Sequence, residues 1–337
     1  MRKRRPGAAG TGGRLMPLWL SERDVRQALA MPALIDAMEE ALARFSAGAV
    51  AQPVRTAIEL RPRCFFGVMP AFDADRGILG CKLVTVVPPN SARGLPTHQA
   101  AIALFDAETG SLEAVLDGRY ITEARTAAVS AVSLRHLARP DADVLAILGS
   151  GVQARSHLEA FRHVRRFRQV RAWSPTAEHL RRFAEETGAE PADSAEAAVR
   201  GAGVVLVATD SVSPVLDSAW VADGAHVIAI GACRPSQREL DPALVARAAL
   251  FVDSKAAALV ESGDIVQPIA EGRISAGHIR AELGQVVSGA APGRRNAEEV
   301  TLFKSLGLAI EDLAAAALAW QSAKAAGVGQ NLALGLT

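Results

Sequence analysis

Residues 144–148, Val-Leu-Ala-Ile-Leu, form an unbroken apolar run that leads directly into Gly149-Ser-Gly151-Val-Gln-Ala154. A G-x-G-x-x-A sequence set between a buried strand and the start of a helix admits few folds. The first glycine allows a tight turn, the second lets a ligand reach the backbone, and the small Ala154 permits close helix–strand packing. The helix N-terminus that follows offers unpaired N–H groups and partial positive charge, a natural seat for a pyrophosphate. The segment 143–154 therefore predicts a site for a nicotinamide dinucleotide.

Around this motif the chain alternates short apolar strands with helical stretches. Strands are expected at 144–148, 169–173, 204–208, 226–230 and 250–252. Such βαβ rhythm predicts a parallel sheet covered on both faces, a Rossmann unit over residues 138–305. Upstream the pattern differs. Ser21-Glu-Arg-Asp24 resembles a capping box and Pro32 suits a first helical turn, so helices are expected at 22–30 and 32–45. β-rich pieces at 56–60, 64–69, 82–87 and 101–105, broken by Pro and Gly, predict a mainly antiparallel sheet, with 106–110 as a turn between two strands. An Ala-rich helix is expected at 122–137. A second, at 306–326, lies beyond the last expected strand and folds back on the first unit. The overall expectation is an α/β protein in which residues 17–137, completed by 306–337, form a discontinuous second domain. Residues 1–16 read as a disordered leader, with Met16 as an alternative start.

A chain of 337 residues suits two domains better than one core. Its net charge of +1 gives no general attraction to nucleic acid or to an anionic membrane. Cys64, Cys81 and Cys233 are odd in number and widely spaced, which argues against a disulfide framework and a structural zinc site, so no metal is expected. A reducing, cytoplasmic setting fits. Apolar stretches such as 313–320 fall short of the ~18 residues of a membrane span. Residues 1–14 lack the apolar segment of a secretory signal.

After the second expected Rossmann strand, where NAD-preferring sites offer Asp or Glu to the ribose hydroxyls, this chain has Trp173-Ser174-Pro175-Thr176. Without a repelling carboxylate the sequence favours NADP over NAD, with Ser174 and Thr176 as donors. Arg181 and Arg182 lie a helical turn or more away.

Several segments, in order and spacing from about residue 17 to the C-terminus, resemble the ornithine cyclodeaminase and mu-crystallin family. They are Gln52-Pro-Val-Arg55, Gly80-Cys-Lys82-Leu-Val-Thr85, Gly94-Leu-Pro-Thr-His-Gln99, Ile121-Thr-Glu-Ala-Arg-Thr126 and Phe303-Lys-Ser-Leu-Gly307. The resemblance implies a homodimer in which the discontinuous domain supplies substrate residues and the subunit interface, while the Rossmann domain holds the cofactor. It assigns Arg55 and Lys82 to the substrate carboxylate, which suits the planar fork of Arg and the compact charge of Lys. His98, Glu261 and Leu306 complete the expected substrate side. Thr97, Arg125, Thr126 and Ser305 are expected near the cofactor, together with Gly149, Gly151, Val152 and Gln153 of the glycine loop, and with Ser174, Thr176, Thr209 and Gly231 at strand ends. Asp264 is expected to cap a helix or form a turn.

One departure bears on the reaction. Cyclodeaminases of this family carry an Asp after the fourth Rossmann strand, whereas Gly231-Ala-Cys-Arg-Pro puts Cys233 there. Cyclodeamination must move protons on and off substrate amines, for which a thiol substitutes poorly. The segment instead resembles the mu-crystallin branch, which implies NAD(P)H-dependent reduction of a small cyclic ketimine carboxylate, of pyrroline-2-carboxylate or piperideine-2-carboxylate type, to an L-imino acid. Still open on the sequence are an ornithine or lysine cyclodeaminase, an alanine or opine-type dehydrogenase, and a non-catalytic NADPH-dependent small-ligand binding protein.

Overall fold

The computed structural model describes residues 16–333; the expected leader, apart from Met16, lies outside the described residues. Two sheets organise the chain. The first is built from β1 (Leu18–Leu20), α1 (Glu22–Ala28), α2 (Met31–Ser46), β2 (Val50–Ala51), β3 (Thr56–Arg61), β4 (Cys64–Asp73), β5 (Ile78–Val86), β6 (His98–Phe105), β7 (Leu112–Asp117) and α3 (Arg119–Leu137). Ser21 and Asp24 cap α1 reciprocally, and Pro32 sits in the first turn of α2. Both match the expected helix starts.

Strands β4 to β7 form an antiparallel meander in which Lys82 stands opposite Met69 on one side and Ile102 on the other. Side chains directly opposite share a face. Met69, Lys82 and Ile102 are all buried, whereas Leu83, one residue on, is exposed on the other face. The period of two thus drives one lysine into the covered side of the sheet.

The second sheet comprises β8 (Val144–Leu148), α4 (Val152–Val164), β9 (Gln169–Trp173), α5 (Ala177–Thr187), β10 (Glu190–Pro191), α6 (Ala195–Val199), β11 (Val204–Val207), β12 (His226–Ala229), α7 (Pro242–Arg247), β13 (Ala249–Val252), α8 (Lys255–Glu261), α9 (Gly263–Ala270), β14 (Ile279–Glu282), α10 (Leu283–Val287) and β15 (Thr301–Lys304). All its pairings are parallel, in the order β10-β9-β8-β11-β12-β15-β13-β14. This is the Rossmann arrangement: strand order reverses between β8 and β11, and ligands bind where the strand ends diverge.

Two expectations need correction. The last strand of this sheet is not at 250–252, because Thr301–Lys304 inserts as β15 between β12 and β13. Its polar ends hid it, yet both find a partner inside: Thr301 Oγ1 meets His226 Nδ1 at 2.9 Å, and Lys304 Nζ forms an ion pair with Asp264 at 3.1 Å. The final helix, α11 (Ala309–Ala326), also starts later than residue 306. The N–H groups of Leu306 and Gly307 both donate to Asp253 Oδ2 at 2.6 Å, and Gly307 takes φ +83°, so the chain turns before it winds.

Although it follows the second sheet, α11 packs on β4, β5 and β6 and on α1, α2 and α3 of the first. The chain ends its described part with β16 (Gln330–Asn331), paired with β1. Helix α3 is sandwiched between the two units, touching α2, α4, β12 and β15. Buried imidazoles fasten it: His157 Nε2 lies 2.9 Å from Ser130 Oγ, and His226 Nε2 lies 3.2 Å from Ser133 Oγ. Among the described residues no helix is long and apolar enough to cross a membrane.

Candidate active site

The glycine loop follows β8 at the point where strand order reverses. Gly149 has φ +117° and its N–H donates to Trp173 O at 2.9 Å; a Cβ here would strike the carbonyl oxygen of Ala208. Only glycine fits. Gly151 differs, because its backbone is ordinary and nothing lies within 4 Å of where a Cβ would stand. The protein itself does not require glycine there, so the open space is room for something else. Among the described residues, Gly151 begins α4 with no side-chain cap, and the buried Gln153 Oε1 has no partner. Uncapped N–H groups beside an open cradle fit the pyrophosphate of a dinucleotide.

Beyond this loop lies a cavity of about 300 Å³. From the first sheet and α3 it is lined by Arg55, Met69, Lys82, Val84, Val86, His98, Thr122, Arg125 and Thr126. From α4 and the carboxyl ends of the second sheet come Gln153, Ala208, Thr209, Ile230, Gly231, Cys233, Ser305 and Leu306. Most residues singled out in the sequence therefore meet in one space. Thr97 is not among them; it is exposed just before β6. Gly149 and Gly151 form the preceding loop, and the exposed Val152 opens α4. Ser174 accepts from Ser150 Oγ at 2.9 Å, and Thr176 is exposed at the start of α5. Glu261 lies in an adjoining recess, where its carboxylate meets Arg55 at 3.0 Å.

Behind the first wall is a buried ion cluster. Lys82 Nζ donates to Asp312 Oδ2. Arg125 donates from Nε to Asp312 Oδ1 at 2.9 Å and from Nη1 to Glu311 at 2.8 Å. Burial pulls the Lys82 ammonium down to about 8, with Asp312 opposing it and Arg125 and Arg55 adding to it. Burial also works against the Arg125 charge, but Asp312 and Glu311 outweigh it and raise its pKa. The same burial lifts Glu311 to about 7 despite Arg125, whereas at Asp312 it is overcome by Arg125 and Lys82, which lower its pKa. At His98, burial and then Lys82 push the imidazole down to about 4. Sequence reasoning missed Glu311 and Asp312. The available signal was two adjacent acids in the first turn of an Ala-rich helix.

The opposite wall rests on a second cluster, also missed. One Glu239 carboxylate oxygen accepts from Thr209 N (2.8 Å) and Thr209 Oγ1 (2.7 Å), the other from Gly231 N (2.7 Å) and Ala232 N (2.9 Å). Asp264 is expected to cap a helix or form a turn, but its side chain accepts from Glu239 N and Leu240 N at 2.8 and 3.0 Å and pairs with Lys304. Its carboxylate is drawn to that buried ammonium, which no helix cap supplies. Cys233 donates to Ile230 O at 3.3 Å, and burial pushes its thiol up, away from the reactive thiolate.

Comparison with known proteins agrees with this geometry. Residues 16–327 match the family model described as the ornithine cyclodeaminase/mu-crystallin family. The ketimine reductase mu-crystallin of Rattus norvegicus is 46% identical over 316 residues, 92% of this chain and 98% of the relative. The structure of Thermococcus litoralis Delta(1)-pyrroline-2-carboxylate reductase in complex with NADH and L-proline superposes with a TM-score of 0.90 at 38% identity, covering 94% of this chain and all of that one. An archaeal alanine dehydrogenase dimer with bound NAD gives 0.89 at 33% identity, covering 94% of this chain and 98% of that one.

Proposed function

Because the chain belongs to the ornithine cyclodeaminase/mu-crystallin family, we propose that it is an NAD(P)H-dependent oxidoreductase that reduces a small cyclic ketimine carboxylate to the corresponding L-imino acid. The observation that carries this reading is the make-up of the cavity wall. Arg55, Lys82 and Arg125 bring positive charge to it, and among the described residues no Asp or Glu lines it. A cationic wall suits a carboxylate substrate. A wall without carboxylates, whose Cys233 thiol is pushed toward protonation and whose His98 is held neutral near pH 7, has little to shuttle protons from a substrate amine. That disfavours cyclodeamination.

In this reading Arg55 and Lys82 take the substrate carboxylate, and His98 and Leu306 bound the ring. Glu261 holds Arg55 Nε at 3.1 Å, and Leu306 O accepts from its Nη2 at 2.8 Å, so the guanidinium is already oriented. The loop at Gly149, Gly151, Val152 and Gln153 holds the dinucleotide, with Arg125, Thr126, Thr209, Gly231 and Ser305 around its nicotinamide half. When bound in reduced form, the dinucleotide would supply a hydride to the C=N carbon of a substrate that arrives protonated at nitrogen, so that C=N becomes CH–NH with no proton drawn from a side chain. The side chains orient the substrate. NADP is favoured over NAD, since β9 is followed by Ser174-Pro175-Thr176 and no acid. Thr97 is then left a peripheral part.

The division into a Rossmann domain at 138–305 and a substrate domain at 17–137 plus 306–337 belongs to the same reading. So does a homodimer: β3 is exposed along its whole length and, with Ile58, Leu60 and Leu83 uncovered, offers the first sheet's outer face to a second copy. A cytoplasmic location is supported by three free cysteines. The deciding assay follows NADPH and NADH consumption with pyrroline-2-carboxylate, with piperideine-2-carboxylate, and with pyruvate plus ammonia, beside L-ornithine and oxidised cofactor. Turnover of the cyclic imines is expected. Ammonia and proline from ornithine, or turnover of pyruvate alone, refutes the proposal.

A further inference from the structure

The reduction proposed above, on which this inference rests, needs a Lys82 that is both charged and well placed. The Lys82 side chain is 2% exposed, and an ammonium so far from water is costly without a partner. Charged and titratable groups face it from four directions: Asp312 on α11, Arg125 on α3, Arg55 between β2 and β3, and His98 on β6. Two of these are cations and His98 is neutral. Among the described residues only Asp312 bonds the ammonium.

Asp312 is itself clamped. Its Oδ1 is held by Arg125 Nε at 2.9 Å, and Arg125 is fixed in turn by Glu311, which leaves Oδ2 for Lys82. The turn before α11 is shaped around this arrangement, since a Cβ on Gly307 would strike the Arg125 guanidinium. Asp312 is fully buried and lies outside the lining of the cavity, so it acts through Lys82 and not on substrate.

We propose that Asp312 is a positioning residue for the reduction: it fixes the Lys82 ammonium at the cavity wall and keeps it charged for the substrate carboxylate. Arg125 and Glu311 serve as its rear anchors. Removing the Asp312 charge takes away the one partner that opposes burial and the two neighbouring guanidinium groups at Lys82.

The test measures kcat/KM for a cyclic ketimine carboxylate from about pH 6 to 9 in the unaltered protein, Asp312→Asn and Asp312→Glu, with ¹⁵N NMR titration of Lys82 assigned by a Lys82→Met spectrum. The unaltered protein is expected to lose kcat/KM as pH rises through about 8. In Asp312→Asn that limb, and the Lys82 titration with it, is expected to move down by about 1–3 pH units. Its plateau is expected to fall roughly 10²-fold as the ammonium drifts. Asp312→Glu keeps the charge and holds the limb near its original pH. An Asp312→Asn profile that is lowered but not moved, with Lys82 titrating as before, overturns the proposal. If the Asn variant does not fold, a Glu variant whose Lys82 titration has moved down overturns it, and one that holds supports it. An unaltered protein that reduces no ketimine refutes the proposed reduction instead, while the NMR titration still judges the Lys82–Asp312 link.

Discussion

Two buried ion clusters face each other across the cavity, and they are wired in opposite senses. Behind β5 the cations Lys82 and Arg125 reach the wall while Asp312 and Glu311 lie behind them. Beneath the ends of β11, β12 and β15 the carboxylate of Glu239 reaches up to backbone N–H groups while Lys304 lies underneath. The first cluster leaves positive charge available to a ligand. The second uses its charge on the protein itself, tying the turns after two strands to a third. A buried charge alone thus says little about function; which partner lies on the cavity side says more.

Breaking the second cluster is expected to have the largest effect. Glu239→Gln leaves Lys304 with one carboxylate and sets an amide against N–H donors, so unfolding free energy is expected to fall by about 3–5 kcal/mol in denaturant titrations. A stability unchanged within error would show that the staple is decorative. Lys82→Met strikes the first cluster, where Asp312 keeps Arg125 as a partner. There kcat/KM is expected to drop about 10²–10³-fold with little change in stability, measured by steady-state kinetics beside thermal melts. The reverse pattern would erase the contrast between the clusters.

Gly151→Val probes the ground between them. Its Cβ meets open space, so only about 0.5–1 kcal/mol of cap preference is at stake in folding. Dinucleotide affinity, by fluorescence titration, is expected to fall about tenfold or more as backbone hydrogen bonds to phosphate are blocked. Full affinity would remove the pyrophosphate from this loop.

A pH dependence of stability is expected at the helix that joins the two regions. Burial first, then nearby arginines, depresses His157 to about 4 and His226 to about 3, against 6.5 when unfolded. Both are neutral in the folded protein, so their contribution is fully present above about pH 6.5 and is lost as acid protonates the unfolded chain. Stability is expected to decline from pH 6.5 toward 4, and His226→Gln to flatten the slope. An unchanged slope would mean that carboxylates alone set acid lability.

The elements and the cavity were unequally legible. Helix starts at Ser21 and Pro32, the meander, and strands β8, β9 and β11 to β13 were readable because caps, turns and apolar periodicity are local. Strand β15 was not, since four residues ending in Lys look like a loop until Asp264 is seen beside the ammonium. Arg55, Lys82, His98 and Arg125 are legible as candidate site residues, and they share one cavity with Thr209, Gly231 and Ser305. Thr97 and Thr176 do not join them.

By itself the sequence determined the parallel dinucleotide-type sheet, because the stereochemistry of Gly149 and the close packing at Ala154 belong to a single turn of chain. Only the tertiary structure decided which charges are balanced. Lys82 and Asp312 are 230 residues apart, and Arg55 and Glu261 are 206 apart. An ion pair's strength depends on separation and burial, which neither residue type nor spacing along the chain records.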